Sequence, residues 1–215
     1  MTQKINLIIF DLDGTLVDTK VDIANAINYS LAKVGLKAKD VETVTSYIGE
    51  GLDNTMHKAL DMKHDNLLSK AVELFRSYYI EHPVDNACLY NGVNEFLEKT
   101  MHIRKAVVSN KDTDLCIKTL DMLNISKYFD IVIGGEDPNC RKPSACPLFK
   151  VMKHVNKNPS ESMIVGDMGG DITAGKLARI KTCGVTYGFG KIEDIKNSKP
   201  DYLIDSFNEL NGLIN

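Results

Sequence analysis

Short apolar runs alternate along this chain with segments whose apolar residues recur every three or four positions. Apolar runs predict six strands, at residues 5–10, 104–109, 129–134, 162–167, 182–187 and 201–205. Helical spacing fills residues 112–123, 146–155 and 171–180, the first of which starts at a capping residue, Asp112. Strands that alternate with helices in this way are typical of a parallel α/β sheet covered by helices on both faces.

One long segment, residues 17–84, departs from the alternation because it contains no convincing strand. Its apolar residues share helical faces, beginning with Ile23, Ile27, Leu31 and Val34 and continuing through residues 55–60 and 67–79. We therefore predict an inserted helical domain at 17–84, with the α/β core formed by residues 1–16 and 85–215.

Composition narrows the class of protein. With 215 residues, 43% apolar and 26% charged, the chain is long enough for one large domain or one domain with an insertion. A net charge of −3 provides no basic surface for nucleic acid or an anionic membrane. No apolar run is long enough to span a membrane, so a cytoplasmic protein is expected. The five cysteines contain no CxxC pair and are expected to be reduced.

Candidate chemistry is concentrated where the predicted strands end. In "LIIFDLDGTLVDT", Asp11 and Asp13 directly follow an apolar run, although two carboxylates ~4 Å apart repel by about 4 kcal/mol near a protein surface. Later strands lead into "SNK", "RKP" and "GDMGGD", which supply Ser109, Asn110, Lys111, Lys142, Asp167 and Asp171. Because parallel strands place their carboxyl ends at one edge of a sheet, these residues are expected to share one cleft.

These residue types indicate phosphoryl chemistry. Several carboxylates with no nearby histidine or thiolate favour a hard divalent ion, and Mg²⁺ is expected because its usual partner in proteins is a phosphate. An aspartate can form a covalent phospho-aspartate, and a second aspartate can exchange the proton. Lys142 and Ser109 suit the neutralisation of phosphoryl oxygens, and Gly14 allows a sharp turn beneath the phosphate.

The four motifs "FDLDGT", "SNK", "RKP" and "GDMGGD" resemble, in order and separation, those of the haloacid dehalogenase superfamily. Longer stretches such as "YIGEGLDNTMHKAL" and "YNGVNEFLE" resemble its phosphoglycolate phosphatase-like members, over roughly residues 5–207. The resemblance implies a Rossmann-like core with an inserted helical cap. It also implies a hydrolase acting on a small phosphorylated metabolite, with phosphoglycolate favoured.

The resemblance further implies residue roles. Asp11 matches the nucleophile, Asp13 the general acid/base and Lys142 the lysine that steadies nucleophile and phosphate. The implied Mg²⁺ ligands are Asp11, Asp13 through its backbone carbonyl, Asp167 and Asp171. Phosphate or substrate contacts are expected from Gly14, Thr15, Ser109 and Asn110, and from the cap loop Gly49, Glu50 and Gly51.

The sequence leaves several alternative functions open. The chain departs from the phosphoglycolate phosphatase pattern after Lys142, at Met168 and at Arg179 and Ile180, which leaves the substrate undecided. A pyrophosphatase, a nucleotidase, a phosphosugar mutase and a phosphonatase with a reactive cap lysine are the enzymatic alternatives. A phosphate-sensing module without turnover is the non-enzymatic one. No nucleic-acid or membrane partner is expected, and the chain is expected to be a monomer or a homodimer.

Overall fold

The computed structural model describes residues 4–214, and residues 1–3 and 215 of the predicted core segments lie outside that range. The strands, in chain order, are β1 (Leu7–Phe10), β2 (Val17–Asp18), β3 (Cys88–Leu89), β4 (Arg104–Val108), β5 (Ile131–Ile133), β6 (Ser162–Gly166), β7 (Lys181–Val185) and β8 (Tyr202–Ile204). The helices are α1 (Lys20–Lys33), α2 (Val41–Thr45), α3 (Leu52–Ala59), α4 (Leu68–Tyr79), α5 (Val93–Lys99), α6 (Thr113–Met122), α7 (Cys146–His154), α8 (Gly169–Leu177) and α9 (Ile192–Asn197). Short 3-10 turns lie at Asp65–Leu67, Ser126–Tyr128, Pro159–Glu161 and Phe207–Gly212.

Six strands form one parallel sheet in the order β5-β4-β1-β6-β7-β8. The six predicted strands are all confirmed, and so are the three predicted helices, as α6, α7 and α8. One detail differs, because Asp112 stands at the N-cap of α6 without capping it through its side chain. The Asp112 carboxylate is instead paired with Arg76 of α4. A charged partner from a distant part of the chain thus replaces the expected local hydrogen bond.

The sheet is buried on both faces. All four residues of β1 are fully buried, with Leu7 and Ile9 on one face and Ile8 and Phe10 on the other. Alternating side chains of a strand point to opposite faces, so a continuous apolar run serves two cores at once. Helices α7 and α8 cover one face, and α5 and α6 cover the other. None of the helices described between residues 4 and 214 is long and apolar enough to cross a membrane.

Helices α1 to α4 form a helical block, residues 20–79, with a core of its own. Ile23, Ile27 and Leu31 of α1 pack in one cluster with Phe75 and Tyr79 of α4. The block therefore has the apolar content of a separately packed unit attached to the sheet.

The connections into and out of the helical block lie side by side. Strand β2 pairs antiparallel with β3, through Val17 with Leu89 and Asp18 with Cys88. Asp22 of α1 accepts hydrogen bonds from the backbone N–H groups of Asn86 and Ala87. The expectation of no strand in residues 17–84 is wrong at β2, because a two-residue strand is too short to produce an alternating pattern.

One cysteine pair also differs from expectation. Cys140 and Cys146 form a disulfide with their Cα atoms 5.1 Å apart, whereas Cys88, Cys116 and Cys183 are free. The expectation that the cysteines are all reduced is therefore wrong for this pair. Neither composition nor a CxxC spacing could reveal it, because the contact depends on the fold of the loop between β5 and α7.

Candidate active site

The carboxyl edge of the sheet brings the predicted site residues together. Asp11 and Asp13 follow β1 at the centre, Ser109 and Asn110 follow β4 on one side, and Asp167 follows β6 on the other. A cavity of about 990 Å³ lies between this edge and the helical block. Its lining includes nine of the predicted residues: Asp11, Asp13, Gly49, Glu50, Gly51, Ser109, Asn110, Lys142 and Asp171.

Three carboxylates converge beside the cavity, and two of them, Asp11 and Asp171, line it. Oxygen atoms of Asp11, Asp167 and Asp171 lie within 4.8 Å of one another, and all three residues are buried. The Lys142 ammonium lies 2.8 Å from Asp11 Oδ1 and 2.6 Å from Asp171 Oδ1. Lys142 comes from the loop between β5 and α7, and its peptide bond to Pro143 is cis. The cluster thus combines three acidic groups with one basic group.

Asp167 is held by the loop that follows Asp13. Its Oδ1 accepts a hydrogen bond from the Thr15 hydroxyl at 2.9 Å, and its Oδ2 accepts the Phe189 N–H at 2.7 Å. Gly14 has a φ of +85°, and a Cβ at this position would collide with the Asp167 carboxylate. In this structure Gly14 and Thr15 therefore serve the placement of Asp167.

Asp13 has different partners. Its Oδ1 accepts hydrogen bonds from the Thr19 hydroxyl and from the Lys111 ammonium, both at 2.6 Å. The Lys111 ammonium also donates to the Tyr79 hydroxyl of α4 at 2.8 Å. Burial raises the pKa of Tyr79 to about 12, so the phenol stays protonated and accepts from the lysine. Asp13 is thereby linked through Lys111 to the helical block.

The predicted binding residues after β4 and in the loop between α2 and α3 also meet. The Ser109 hydroxyl lines the cavity and accepts the Lys111 N–H at 3.2 Å. The Asn110 side chain contacts backbone groups of Gly49 and Lys142. Glu50 is exposed, and its carboxylate pairs with Lys58 at 3.2 Å. The loop 49–51 thus closes one side of the cavity.

Residues 8–185 match the model of the family described as haloacid dehalogenase-like hydrolase. The chain belongs to this family. A phosphoglycolate phosphatase from Aquifex aeolicus is 39% identical over 204 residues, covering 92% of this chain and 94% of the relative. One from Colwellia psychrerythraea is 34% identical over 217 residues, covering 97% and 96%.

A solved structure agrees with these relatives. The crystal structure of a predicted phosphoglycolate phosphatase from Haemophilus somnus 129pt superimposes with a TM-score of 0.93 at 32% identity, and both chains are covered completely. This haloacid dehalogenase-like hydrolase is therefore phosphoglycolate phosphatase-like in sequence and fold, and it is a phosphatase.

The acidic cluster of this haloacid dehalogenase-like hydrolase fits a hard divalent cation. Burial, reinforced by the neighbouring carboxylates, raises the pKa of Asp167 to about 8. Burial likewise raises the pKa of Asp11 to about 6, although Lys142 opposes the shift. Burial disfavours the charge of Lys142 too, but Asp11 and Asp171 hold its pKa above the ordinary value. Full ionisation of the three carboxyls would thus leave more negative charge than Lys142 offsets, and their oxygen atoms are the donors that a hard divalent cation prefers.

Sequence reasoning gave no role to Lys111, Thr19 or Tyr79, although all three belong to the surroundings of Asp13 in this haloacid dehalogenase-like hydrolase. Lys111 carried a usable signal, because it stands two residues after Ser109 at a strand end. Tyr79 carried none, since it lies more than sixty residues after Asp13 and the contact arises only from how the helical block packs on the sheet.

Proposed function

We propose that this chain is a Mg²⁺-dependent phosphatase that hydrolyses a small phosphate monoester through a phospho-aspartate, with phosphoglycolate as the favoured substrate. One observation carries the proposal: Asp11, at the floor of a cavity, lies 2.8 Å from Lys142 and within 4.8 Å of two further carboxylates. The names of the relatives in Aquifex aeolicus and Colwellia psychrerythraea support the choice of substrate.

Asp11 is suited to act as the nucleophile. Its Oδ1 accepts the Leu12 N–H at 2.8 Å as well as contacting Lys142, so the carboxylate is fixed in orientation. Attack on phosphorus forms an Asp11–phosphorus bond and breaks the ester bond, which releases the alkoxide. Lys142 and the Ser109 hydroxyl face the cavity, where they can neutralise phosphoryl oxygens as the anionic carboxylate approaches.

Asp13 is suited to move the proton. The hydrogen bonds from Thr19 and Lys111 both go to Oδ1, and among residues 4–214 no described hydrogen bond occupies Oδ2. We assign Oδ2 of protonated Asp13 to give its proton to the departing alkoxide, and the resulting carboxylate to take a proton from the water that hydrolyses the phospho-aspartate. Thr19 and Lys111 hold the carboxylate in place during both steps.

Mg²⁺ would be held by Asp11, Asp167 and Asp171, together with the backbone carbonyl of Asp13. When bound, the ion supplies positive charge that offsets the carboxylates and the phosphoryl oxygens. Thr15, Phe189 and Gly190 fix Asp167 through hydrogen bonds, so the cluster is organised by neighbouring loops before any ligand enters.

The helical block is suited to act as a cap that excludes water during phosphoryl transfer.

The cavity of about 990 Å³ is at the upper end of small-molecule sites, which keeps a nucleoside monophosphate as the second candidate substrate. A phosphonatase would need a reactive lysine in the helical block; Lys20 of α1 lines the cavity, but its ammonium is paired with Asp18 at 2.8 Å.

The test is phosphate release from a panel of phosphoglycolate, pyrophosphate, nucleoside monophosphates and sugar phosphates, with and without Mg²⁺. We expect Mg²⁺-dependent release, strongest from phosphoglycolate, that disappears in Asp11→Asn. Asp130→Asn is a matched control, because Asp130 also accepts a backbone N–H and pairs with a cation, at the opposite edge of the sheet. Full activity in Asp11→Asn would contradict the proposal, and release from another ester alone would change only the substrate.

A further inference from the structure

Asn110 makes three hydrogen bonds, all to backbone groups. Its Nδ2 donates to the Lys142 carbonyl at 2.9 Å and to the Gly49 carbonyl at 2.8 Å. Its Oδ1 accepts the Lys142 N–H at 3.0 Å. A primary amide has two N–H protons, and both are used here, one for each carbonyl. The side chain is therefore fully engaged by protein groups and has no proton left for a phosphate.

These three bonds join two parts of the active site. Gly49 lies in the helical block, in the loop between α2 and α3, whereas Lys142 lies in the loop between β5 and α7. The Asn110 amide holds both backbone polar groups of Lys142 in a loop without regular secondary structure. It also donates to the Gly49 carbonyl, so one amide connects the helical block to that loop.

The loop 49–51 is shaped for close approach to the core. Gly49 and Gly51 both have positive φ, of +124° and +92°. A Cβ at Gly49 would collide with the Met168 side chain, and one at Gly51 would lie 2.6 Å from the Arg141 guanidinium. Glycine tolerates both the backbone conformation and the short distances. The loop 49–51 can therefore pack directly against the loops that carry Arg141 and Met168.

We propose that Asn110 is a positioning residue that couples the seating of the loop 49–51 to the placement of Lys142. The proposal rests on the proposed function, in which Lys142 neutralises the phosphoryl group beside Asp11. When the loop is seated, the Gly49 carbonyl fixes the Asn110 amide, and the amide fixes the backbone from which the Lys142 side chain extends. Closure of the helical block and completion of the site are then one event.

Two variants test the coupling. Asn110→Ala removes all three bonds, whereas Asn110→Asp keeps the acceptor for the Lys142 N–H and turns a carboxylate oxygen toward the two carbonyls. Asn28→Ala is the matched control, because Asn28 clamps both backbone groups of Lys39 at 2.8 Å in the same manner, inside the helical block. If Asn110→Ala fails to fold, the isosteric Asn110→Asp is used alone.

The first measurement is amide hydrogen exchange over residues 47–52, compared with the rest of the chain. We expect exchange in this segment to rise by roughly tenfold in both Asn110 variants and to stay unchanged in Asn28→Ala. Because this readout needs no substrate, it tests the coupling even if the proposed phosphatase activity fails. Unchanged exchange in both Asn110 variants would overturn the proposal.

The second measurement separates positioning from substrate contact. On the ester that the wild type hydrolyses, we expect kcat of the Asn110 variants to fall by about 10²-fold, as for a misplaced catalytic group. Because Asn110 acts through Lys142, its loss should add little to that of Lys142→Gln in the double variant Asn110→Ala/Lys142→Gln. Additive losses of kcat in the double variant would overturn the proposal, and so would an equal loss of kcat in Asn28→Ala.

Discussion

Asp11 and Asp13 are nearly equally buried, at 8% and 7% exposed, yet they lie in opposite electrostatic settings. Asp11 belongs to the acidic cluster with Asp167 and Asp171, where three carboxylates and the single ammonium of Lys142 leave a formal charge of minus two. Asp13 is paired one to one with Lys111. When all its carboxylates are ionised, the Asp11 side carries excess negative charge that suits a divalent cation, whereas Lys111 balances the charge of an ionised Asp13.

This difference explains why two aspartates one residue apart can do different work. The two aspartates after β1 have different neighbours. Asp11 contacts Lys142 and lies near the end of β6, whereas Asp13 contacts Lys111, which reaches the helical block. A group in a cation-deficient cluster suits attack on phosphorus once the cation is present. A carboxylate with one oxygen held by a lysine and a hydroxyl keeps its other oxygen available for proton exchange.

Exchanging each lysine for glutamine gives the largest expected effects and tests the comparison directly. Lys142→Gln should reduce kcat/KM by about 10²–10³-fold, because a charge that stabilises the transition state is lost. Lys111→Gln should cost less activity, since Thr19 still holds Asp13. Each variant should lose about 3–5 kcal/mol of unfolding free energy without Mg²⁺, because a buried carboxylate loses its partner.

The response to Mg²⁺ distinguishes the two lysine variants. The rise in Tm on adding Mg²⁺ should be larger than wild type in Lys142→Gln and equal to wild type in Lys111→Gln. Lys181→Gln, which removes an exposed ion pair with Asp201, is the control and should change stability by less than about 1 kcal/mol. Equal Mg²⁺ responses in both buried-lysine variants would refute the division of the site into two electrostatic halves.

Removal of a carboxylate from the acidic cluster of Asp11, Asp167 and Asp171 should have the next largest effect. Asp167→Asn should lose most of the Mg²⁺-induced rise in Tm. The folded-state pKa of about 8 lies above the ordinary 3.8, so the folded protein is penalised progressively as pH rises from about 4 to 8. Without Mg²⁺, the variant should therefore gain stability over wild type as pH increases across that range.

Thermal melts at pH 5 to 8, with and without Mg²⁺, check this prediction. Asp201→Asn is a matched control, because Asp201 also accepts a backbone N–H and a threonine hydroxyl, both from Thr182. A stability difference between Asp167→Asn and wild type that does not grow with pH would contradict the raised folded-state pKa of Asp167.

The two halves of the site were not equally predictable from the sequence. The acidic cluster could be predicted, since Asp11, Asp167, Asp171 and Lys142 stand at strand ends that a parallel sheet gathers at one edge. The Lys111–Tyr79 contact could not, because it depends on how the helical block seats on the sheet. Likewise, an asparagine after a strand favours a ligand contact by pattern, whereas its partners here are backbone groups that only the fold places nearby.

The disulfide should have a smaller effect, confined to the Lys142 side. Cys140 and Cys146 flank Lys142, and closing a loop of this length contributes about 2 kcal/mol. We expect the double variant Cys140→Ser/Cys146→Ser to lose about that amount of unfolding free energy and to show a modest fall in kcat. The contacts of Lys111 should not be affected. Denaturant unfolding with and without reductant measures the loss, and Cys88→Ser, at an exposed free cysteine, is the control. If reductant destabilised the double variant as much as the wild type, the disulfide would not be the group through which reductant acts.

A third buried lysine gives the smallest expected effect on activity and sharpens the comparison. Lys105 is 1% exposed at the amino end of β4, and its ammonium donates to the Thr100 and Ile103 carbonyls. Burial lowers its pKa from 10.5 to about 8, with Asp130 opposing the shift, whereas the carboxylates beside Lys111 and Lys142 raise theirs. A lowered folded-state pKa means that the folded protein releases this proton first. Its contribution to stability is therefore complete above pH 10.5 and is lost as pH falls through about 8.

Stability of the wild type should accordingly contain a component that rises between pH 8 and 10.5, by at most about 1.4 kcal/mol per pH unit. Lys105→Met should remove this component and leave phosphatase activity at pH 7.5 unchanged, because the side chain lies at the end of the strand opposite the cavity. Denaturant unfolding of both proteins from pH 7.5 to 10.5 measures the two slopes. Identical slopes would mean that water or a carboxylate reaches the Lys105 ammonium. In that case Lys105 would not be a buried lysine without a charged partner. Pairing with a carboxylate would then not explain how Lys111 and Lys142 differ from it.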